Sequence, residues 1–329
     1  MSTLAPTLQA FLTDRLIQQR QVSPHTVAAY RDTLRLLLAF ASAQTKTAPS
    51  KLDLSQIDAS LVVSFLNYLE HDRHSSVRTR NARLAAIHSL FRYAALEHPE
   101  DAASIQRVLA IPPKRFDKTL VTFLTASEID ALLAAPDRKT WTGRRDHALL
   151  MLAIQTGLRI SELIGLTCND VHLGTGAHVS CHGKGRKDRI TPLTALTVTT
   201  LRAWINQHSL DQMMPLFPAR QGQHLSRDAI EHRLALYVAK AALQCTTMQN
   251  RKITAHVLRH TAAMQLLHAG VDTSVIALWL GHESVETTQI YLHADLALKE
   301  QAIARTKPPT CPPGRYKAPD DILAWLESL

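Results

Sequence analysis

The sequence predicts a mainly α-helical protein of two domains, the second of which includes a small antiparallel β-sheet. Apolar residues recur at the i, i+3, i+4 spacing of amphipathic helices along most of the chain. Residues 177–192 break this pattern and indicate strand, turn and strand. Pro112 and Pro113 interrupt it again, because proline ends helices. A length of 329 residues suits two domains that each bury a core.

The first domain is predicted to be helical throughout. Its first helix carries apolar residues at helical spacing from Leu8 to Leu16. Ser23-Pro24 predicts the start of the second helix, since serine is a favoured cap and proline suits the first helical position. We expect helices over residues 8–19, 26–41, 54–70 and 76–96.

The domain boundary is predicted in the charged stretch that contains the two prolines. This gives a first domain over residues 1–111, a linker over 112–119, a second domain over 120–303 and a C-terminal tail over 304–329. Thr125 with Glu128 is typical of a helix start. Strands are expected over 179–182 and 189–191, and further helices over 142–156, 195–207, 227–242, 254–269, 274–280, 286–293 and 320–329.

The charge of the chain indicates a polyanionic partner. The net charge is +9, of which residues 1–118 carry +5 and residues 119–329 carry +4. Two basic domains favour nucleic acid or an anionic membrane surface as the partner. No apolar run approaches the ~20 residues of a membrane span, and residues 1–11 lack the pattern of a signal peptide. The four cysteines are widely spaced, which argues against a disulfide scaffold or a zinc ribbon and favours a cytoplasmic protein.

Two arginines of the second domain stand in short polar motifs. Glu162 follows Arg159 by three residues, so it lies one helical turn away and can hold the guanidinium. His256 and Arg259 have the same spacing and offer donors to one anion. Taken alone, each pair is more often an ordinary solvated surface.

Three further polar side chains follow later in the chain. Lys184 lies at the tip of the predicted hairpin, between two glycines. Gly281 is expected to end a helix and to place His282 at a turn. Tyr291 comes nine residues later on an amphipathic stretch. Each also has a purely structural explanation. Lys184 could keep the turn soluble, Gly281 could simply end the helix, and Tyr291 could be a core residue.

In their order, these motifs resemble the catalytic domain of the tyrosine recombinases, the family of phage integrases, Xer recombinases, integron integrases and Cre. The resemblance covers about residues 120–300, and the N-terminal helices more loosely resemble the SAM-like core-binding domain of the family. The segments that carry it are Thr156-Gly157-Leu158-Arg159-Ile160-Ser161-Glu162-Leu163, Gly183-Lys184-Gly185-Arg186-Lys187, Leu258-Arg259-His260-Thr261, and Leu280-Gly281-His282 with Thr287-Thr288-Gln289-Ile290-Tyr291.

The resemblance implies how the reaction is divided among these residues. Tyr291 would attack a DNA phosphodiester, leaving a 3′-phosphotyrosine and a free 5′-hydroxyl. Arg159 and Arg259 would bind the non-bridging oxygens as charge develops. His256 would hydrogen-bond the phosphate and help take the tyrosine proton.

The remaining motif residues have supporting roles in the same picture. Lys184 would protonate the departing 5′-oxygen, His282 would add a donor, and Glu162 would orient Arg159. The resemblance implies no metal and no other cofactor. His260 is expected to face another side of its helix and to be structural.

The family also implies partners and an assembly. Both domains would touch one duplex from opposite sides, four protomers would exchange strands through a Holliday junction, and the C-terminal tail would dock on a neighbouring protomer. A type IB topoisomerase-like enzyme and a catalytically inactive DNA-binding protein are the alternatives. The candidate DNA contacts are Arg78, Arg80, Arg83, Arg186 and Lys187.

Overall fold

The computed structural model describes residues 4–116, 121–182, 188–207 and 211–281, together with residues 288 and 291. The chain divides into two compact units, residues 1–118 and 119–329. The described elements are mainly helices with one small antiparallel sheet, which confirms the predicted fold class. The tail over 304–329 and most of the expected helix over 286–293 lie outside the described residues.

Five α-helices form the described part of the first unit: α1 (Leu4–Ala10), which continues into a π-helical segment (Phe11–Gln19), α2 (Pro24–Thr45), α3 (Ala59–His71), α4 (Val77–Glu97) and α5 (Ala102–Leu109). Local capping explains where two of them start. Ser23 Oγ accepts a hydrogen bond from Thr26 N at the start of α2, and Ser76 Oγ accepts one from Thr79 N at the start of α4.

One expected helix of this unit starts at a different residue, and one helix was not expected. The helix expected from Leu54 begins at Ala59, because Asp58 accepts a hydrogen bond from Leu61 N at 2.8 Å and caps it. Residues 54–56 instead form a separate 3₁₀ turn. Helix α5 is an eight-residue element that the sequence analysis missed.

The apolar faces of α2 to α5 share one core. Phe65, Phe91 and Ile105 are fully buried there. Burying a side chain of this size contributes about 2–3 kcal/mol each, so the core is the main source of stability in this unit.

Seven α-helices form the described part of the second unit: α6 (Ala126–Ala134), α7 (Trp141–Thr156), α8 (Ile160–Gly165), α9 (Ala195–Gln207), α10 (Arg227–Ala241), α11 (Ala255–His268) and α12 (Thr273–Leu280). Thr125 caps α6 in a capping box with Glu128, as its sequence predicts. The expected starts of α7 and α12 are each within a residue of the observed ones.

The sheet of this unit has three antiparallel strands in the order β1 (Val171–His172), β2 (His178–His182) and β3 (Asp188–Pro192). β2 and β3 are the predicted hairpin strands. β1 was not predicted, because two residues show no alternation. In the register of the hairpin, Cys181 lies opposite Arg189.

The long helix α7 lies in the main core of this unit, with Leu152 and Ala148 fully buried. A second apolar cluster joins α11 to α12 and includes Leu280 and Tyr291. This packing holds α12 against the second half of α11, and a hydrogen bond from Arg259 to Leu280 O joins the end of α12 to the first half. Among the residues that the structure describes, no helix is long and apolar enough to cross a membrane.

Candidate active site

A glycine turn brings Arg159 to its position. Helix α7 ends at Gly157, which has a left-handed φ of +64°. A Cβ atom at this residue would lie 2.7 Å from Leu280 Cδ2, so glycine also permits the close approach of α12. Arg159 then caps α8, and Glu162 accepts from Arg159 N at 2.7 Å and from Arg159 Nη1 at 2.9 Å.

Arg259 reaches the same place from α11. Its side chain is 3% exposed, and it donates from Nη1 to Gly157 O and from Nη2 to Leu280 O, both at 2.7 Å. Burial, reinforced by the charge of Arg159, lowers the pKa of Arg259 to about 10. The guanidinium therefore stays protonated at neutral pH.

The C-terminal end of α12 joins the two arginines. Arg159 donates from Nη2 to Gly281 O at 2.7 Å, one residue beyond the carbonyl that Arg259 binds. The last carbonyls of a helix lack partners within the helix and carry its negative dipole end. These carbonyls hold two cations side by side, which prepares a site for an anion.

Glu162 has a second cationic partner that the sequence analysis missed. Arg189 of β3 donates from Nη1 and Nη2 to the two oxygens of Glu162 at 2.9 and 2.7 Å. Burial alone would raise the pKa of Glu162, but hydrogen bonds from Arg189 and Arg159 N outweigh it and lower the pKa to about 2. Strand alternation was the available signal, because Arg189 shares a face with buried Thr191.

Tyr291 lies beside two histidines of α11. Its hydroxyl oxygen is 3.0 Å from His260 Nδ1, and the rings of His256 and His260 meet edge to face at 4.5 Å between centroids. The side chain of Tyr291 is 1% exposed and packs in the apolar cluster with Leu280. The tyrosine, both histidines and Arg259 thus belong to one continuous group.

The expectation that His260 faces away from the site is wrong. His256 and His260 are four residues apart, so they lie one above the other on the same helix face. That i, i+4 spacing was the signal in the sequence, and it was read as structural because His260 directly follows Arg259.

Burial keeps the three ring side chains uncharged. It lowers the pKa of His256, with Arg259 and Arg159 acting in the same direction. It lowers the pKa of His260 to about 4, together with His256 and Arg259. Burial also raises the pKa of Tyr291, against the opposing effect of Arg259. At neutral pH the site therefore holds two neutral imidazoles and a protonated phenol.

Several predicted site residues lie outside the described residues. These are Lys184, Arg186, Lys187 and His282.

The three candidate DNA contacts of α4 differ in exposure. Arg78 is exposed, and its guanidinium lies 5.7 Å from the ring centre of Phe116. Arg83 is half-buried, and burial lowers its pKa. Arg80 is 5% exposed and forms an ion pair with Glu70 at 3.6 Å. The buried Arg80 is therefore bound within its own unit.

Within the described parts of the chain, no group of three or more His, Cys, Asp or Glu side chains is arranged to hold a metal ion. The site is instead cationic, with three arginines around one carboxylate and one helix end. Guanidinium groups in such an arrangement can bind an oxyanion.

The fold and this site define a class of protein that combines a buried tyrosine, a pair of histidines and a pair of arginines in one domain. The model of the Phage integrase family matches residues 122–297, and that of the phage integrase N-terminal SAM-like domain matches residues 8–98. The chain belongs to the tyrosine recombinase, or phage integrase, family.

Individual relatives agree with this assignment. The protein y4rC of Sinorhizobium fredii, named as an integrase/recombinase, is 54% identical over 328 residues, which is 100% of this chain and 99% of that protein. The tyrosine recombinase XerC of Chlamydia muridarum is 35% identical over 310 residues, covering 89% of this chain and 94% of XerC.

Solved structures share the fold at low sequence identity. The Tn1549 transposon integrase, in complex with circular intermediate DNA, matches with a TM-score of 0.68 at 17% identity, covering 93% of this chain and 100% of that one. The XerH recombinase, bound to a palindromic difH substrate, matches with a TM-score of 0.65 at 21% identity, covering 87% and 81%.

Proposed function

We propose that the protein is a site-specific DNA recombinase that cuts and rejoins DNA through a 3′-phosphotyrosyl intermediate on Tyr291. The observation that carries the proposal is the meeting of two arginines at the end of α12, with Tyr291 in the same apolar cluster as that helix. Guanidinium groups held side by side match the non-bridging oxygens of a phosphodiester.

The cleavage step exchanges one phosphoester for another. Tyr291 Oη attacks the phosphorus, a P–O bond to Tyr291 forms, and the bond to the 5′-oxygen breaks. Arg159 and Arg259 bind the two non-bridging oxygens, where negative charge grows in the transition state. The phosphotyrosine conserves the bond energy, so religation by a 5′-hydroxyl needs no nucleotide cofactor.

Two protons move in this step. One leaves the Tyr291 hydroxyl for the histidine pair of α11. His260 Nδ1 lies 3.0 Å from that hydroxyl, and His256, which contacts the His260 ring and is uncharged at neutral pH, is the proposed acceptor during cleavage. The other goes to the departing 5′-oxygen, for which Lys184 is the proposed donor. His282 is proposed as a further donor to the phosphate, and Glu162 as the group that orients Arg159.

Both units are proposed to bind the recombination site. Each has an excess of basic residues, and the first unit places Arg78 on the exposed side of α4. Arg83, Arg186 and Lys187 remain proposed contacts as well. Arg80 is the weakest of the candidates, because its guanidinium is buried against Glu70.

The proposed assembly is a tetramer on two DNA sites that exchanges strands through a Holliday junction. The names of the relatives support either integration of a mobile element or an Xer-like resolution reaction. The Tn1549 integrase and XerH were both captured on their DNA substrates. Docking of the tail over 304–329 on a neighbouring protomer belongs to the same proposal.

A covalent trap tests the proposed function. The protein is incubated with randomly nicked fragments of the genome that encodes it, and adducts are isolated after denaturation. A nick shortly 3′ of the cleavage point lets the short piece that carries the new 5′-hydroxyl escape, so the adduct accumulates. We expect adducts with the wild type and with Tyr237→Phe, whose hydroxyl contacts Asp146 away from the site. We expect none with Tyr291→Phe, and adducts that survive Tyr291→Phe would overturn the assignment.

The same trapped site distinguishes the alternatives. A topoisomerase-like enzyme would relax supercoiled DNA that lacks the site and would not pair two sites. An inactive DNA-binding protein would form no adduct. A recombinase produces recombinant products from two copies of the recovered site.

A further inference from the structure

We propose that Arg189 is a positioning residue for DNA cleavage: it holds Glu162 and the end of α12 so that the Arg159 guanidinium points at the scissile phosphate. The inference rests on the proposed function and adds to it a residue that the reaction scheme does not include. Arg189 touches neither reacting atom in this account, and it acts through Glu162 and the main chain.

The first observation is the way in which Glu162 is held. Its side chain is 6% exposed, and its oxygens accept four N–H groups, two from Arg159 and two from Arg189. The two oxygens face the paired nitrogens of Arg189 in a fork-to-fork arrangement, which fixes a carboxylate more firmly than a single contact does.

The second observation is an asymmetry between the two arginines that share Glu162. The side chain of Arg159 is 37% exposed, whereas that of Arg189 is 11% exposed. Arg189 is also anchored on a sheet strand, with β3 paired to β2 along its length. With Arg159 as its sole partner, Glu162 could turn together with that half-exposed side chain. Arg189 supplies the fixed end of the chain of contacts.

The third observation is at the end of α12, where three consecutive carbonyls each accept a hydrogen bond from a different arginine. Arg189 Nε donates to Trp279 O at 3.2 Å, Arg259 donates to Leu280 O, and Arg159 donates to Gly281 O. Arg189 therefore contacts both surfaces that hold Arg159, the carboxylate and the helix end. A salt bridge that only stabilised the fold would not need to reach both.

Glycine at position 281 gives Arg189 the room for this contact. A Cβ atom there would lie 2.8 Å from Arg189 Nη1. The position of the Arg189 side chain therefore depends on glycine at residue 281.

Removal of Arg189 is expected to change how the cleavage rate depends on pH. The part that changes is the acid limb of the pH–rate profile, in which the rate falls as the pH is lowered. Among the residues that the structure describes, the charged and titratable groups that act on Glu162 are Arg159 at the start of α8, Arg189 on β3, Arg259 on α11 and Cys181 on β2. Burial raises the pKa of Cys181 to about 12, so this thiol carries no charge at neutral pH. Loss of Arg189 removes the strongest hydrogen bonds that favour ionised Glu162, so its pKa rises and the carboxyl protonates at a higher pH.

The test is single-turnover cleavage of the nicked duplex that the wild type traps, measured across pH together with DNA affinity. The variants are Arg189→Gln, Glu162→Gln and the double substitution. Arg251→Gln is the matched control, because Arg251 also pairs with a buried glutamate, Glu128, and with a main-chain carbonyl, outside this site.

We expect Arg189→Gln to slow cleavage about 10- to 100-fold with little change in DNA affinity, as for other groups that align a reacting pair. The fall in its cleavage rate at low pH should begin at a higher pH than in the wild type, because Glu162 then protonates more readily. In the double variant this added shift should be absent, and the fall that comes from protonation of His256 should remain. The two substitutions should be non-additive, since both break the same contact. Arg251→Gln should cleave at the wild-type rate and pH profile.

Arg189→Lys keeps the charge without the fork, and it decides the question if Arg189→Gln does not fold. Slower cleavage with a shifted acid limb in Arg189→Lys supports the proposal. Wild-type rate and pH profile in either folded Arg189 variant, or full additivity with Glu162→Gln, would overturn it. A wild-type protein without any adduct would instead overturn the proposed function on which the inference rests.

Discussion

Tyr291 and His260 form a buried contact between the candidate nucleophile and helix α11. The hydroxyl of Tyr291 is buried at hydrogen-bond distance from His260 Nδ1. A neutral histidine suits this position, because a charged one would have to be desolvated beside Arg259. Because His260 is buried beside Tyr291 and Arg259, its protonation makes the stability of the second unit depend on pH.

The sign of this coupling follows from the lowered pKa of His260. In the unfolded chain His260 binds a proton near pH 6.5, and in the folded protein only near pH 4. Between these values the unfolded state binds more protons, so folding weakens as the pH falls. We predict that the stability advantage of the wild type over His260→Asn shrinks from pH 6.5 to pH 4. Melting curves measured at intervals across this range test it, and a constant difference would contradict it.

The buried cysteines give a second prediction at the scale of single residues. Burial raises the pKa of Cys168 to about 11 and that of Cys181 to about 12, and a thiol rather than a thiolate alkylates slowly. After iodoacetamide treatment of the folded protein at pH 8, we expect both residues unmodified by peptide mass spectrometry. Full modification after denaturation is the control, and rapid labelling of native Cys181 would contradict the described packing.

Which residues the sequence could predict depends on whether their partners are near in sequence. Arg159 and Glu162 form the pair that their spacing suggests. Arg189 was missed, because its partner Glu162 lies 27 residues away and only the fold brings them together. His260 was assigned to the wrong side for a different reason, since the position of Tyr291 could not be known from helix geometry alone.

At the scale of elements, the end of α12 organises the site. The C-terminal cap Gly281 has a left-handed φ of +65°, and Arg189 fills the space where a side chain would be. Helix starts with polar caps, such as Ser23 and Thr125, could be predicted. The short elements could not be, because β1 and α5 are too brief to show a period.

Gly270 and Gly281 both have positive φ angles and therefore provide a matched pair of positions for substitution. We predict that Gly281→Ala and Gly270→Ala each cost about 1–2 kcal/mol of stability, because both residues have positive φ. Gly270 faces open space, whereas a Cβ at Gly281 collides with Arg189. Cleavage should therefore fall in Gly281→Ala and be retained in Gly270→Ala at a temperature where both are folded. Equal cleavage by the two variants would contradict the described packing of the helix end.

At the scale of the whole molecule, both units carry excess positive charge. Arg78 and Arg80 of α4 allow the effect of an exposed arginine on DNA binding to be compared with that of a buried one. Arg78 is exposed, whereas Arg80 is buried with Glu70. The slope of log affinity against log salt concentration is negative. We predict that Arg78→Ala makes this slope shallower by about 0.9 on the trapped DNA site. Arg80→Ala should leave that slope unchanged and instead lower the melting temperature, since it removes a buried side chain together with its ion pair to Glu70.

Binding titrations at a series of salt concentrations check this prediction. An unchanged slope in Arg78→Ala would remove α4 from the proposed DNA surface. A shallower slope in Arg80→Ala would mean that this side chain leaves its burial site to reach DNA.

The chemistry assigned to the whole chain depends on one bond, between Tyr291 Oη and a DNA phosphorus. The most direct measurement is mass spectrometry of the peptide recovered from the covalent adduct, with the DNA labelled separately at its two ends. We predict a nucleotide joined through its 3′-phosphate to Tyr291, with a free 5′-hydroxyl on the released strand. A linkage to any other residue, or through a 5′-phosphate, would contradict it.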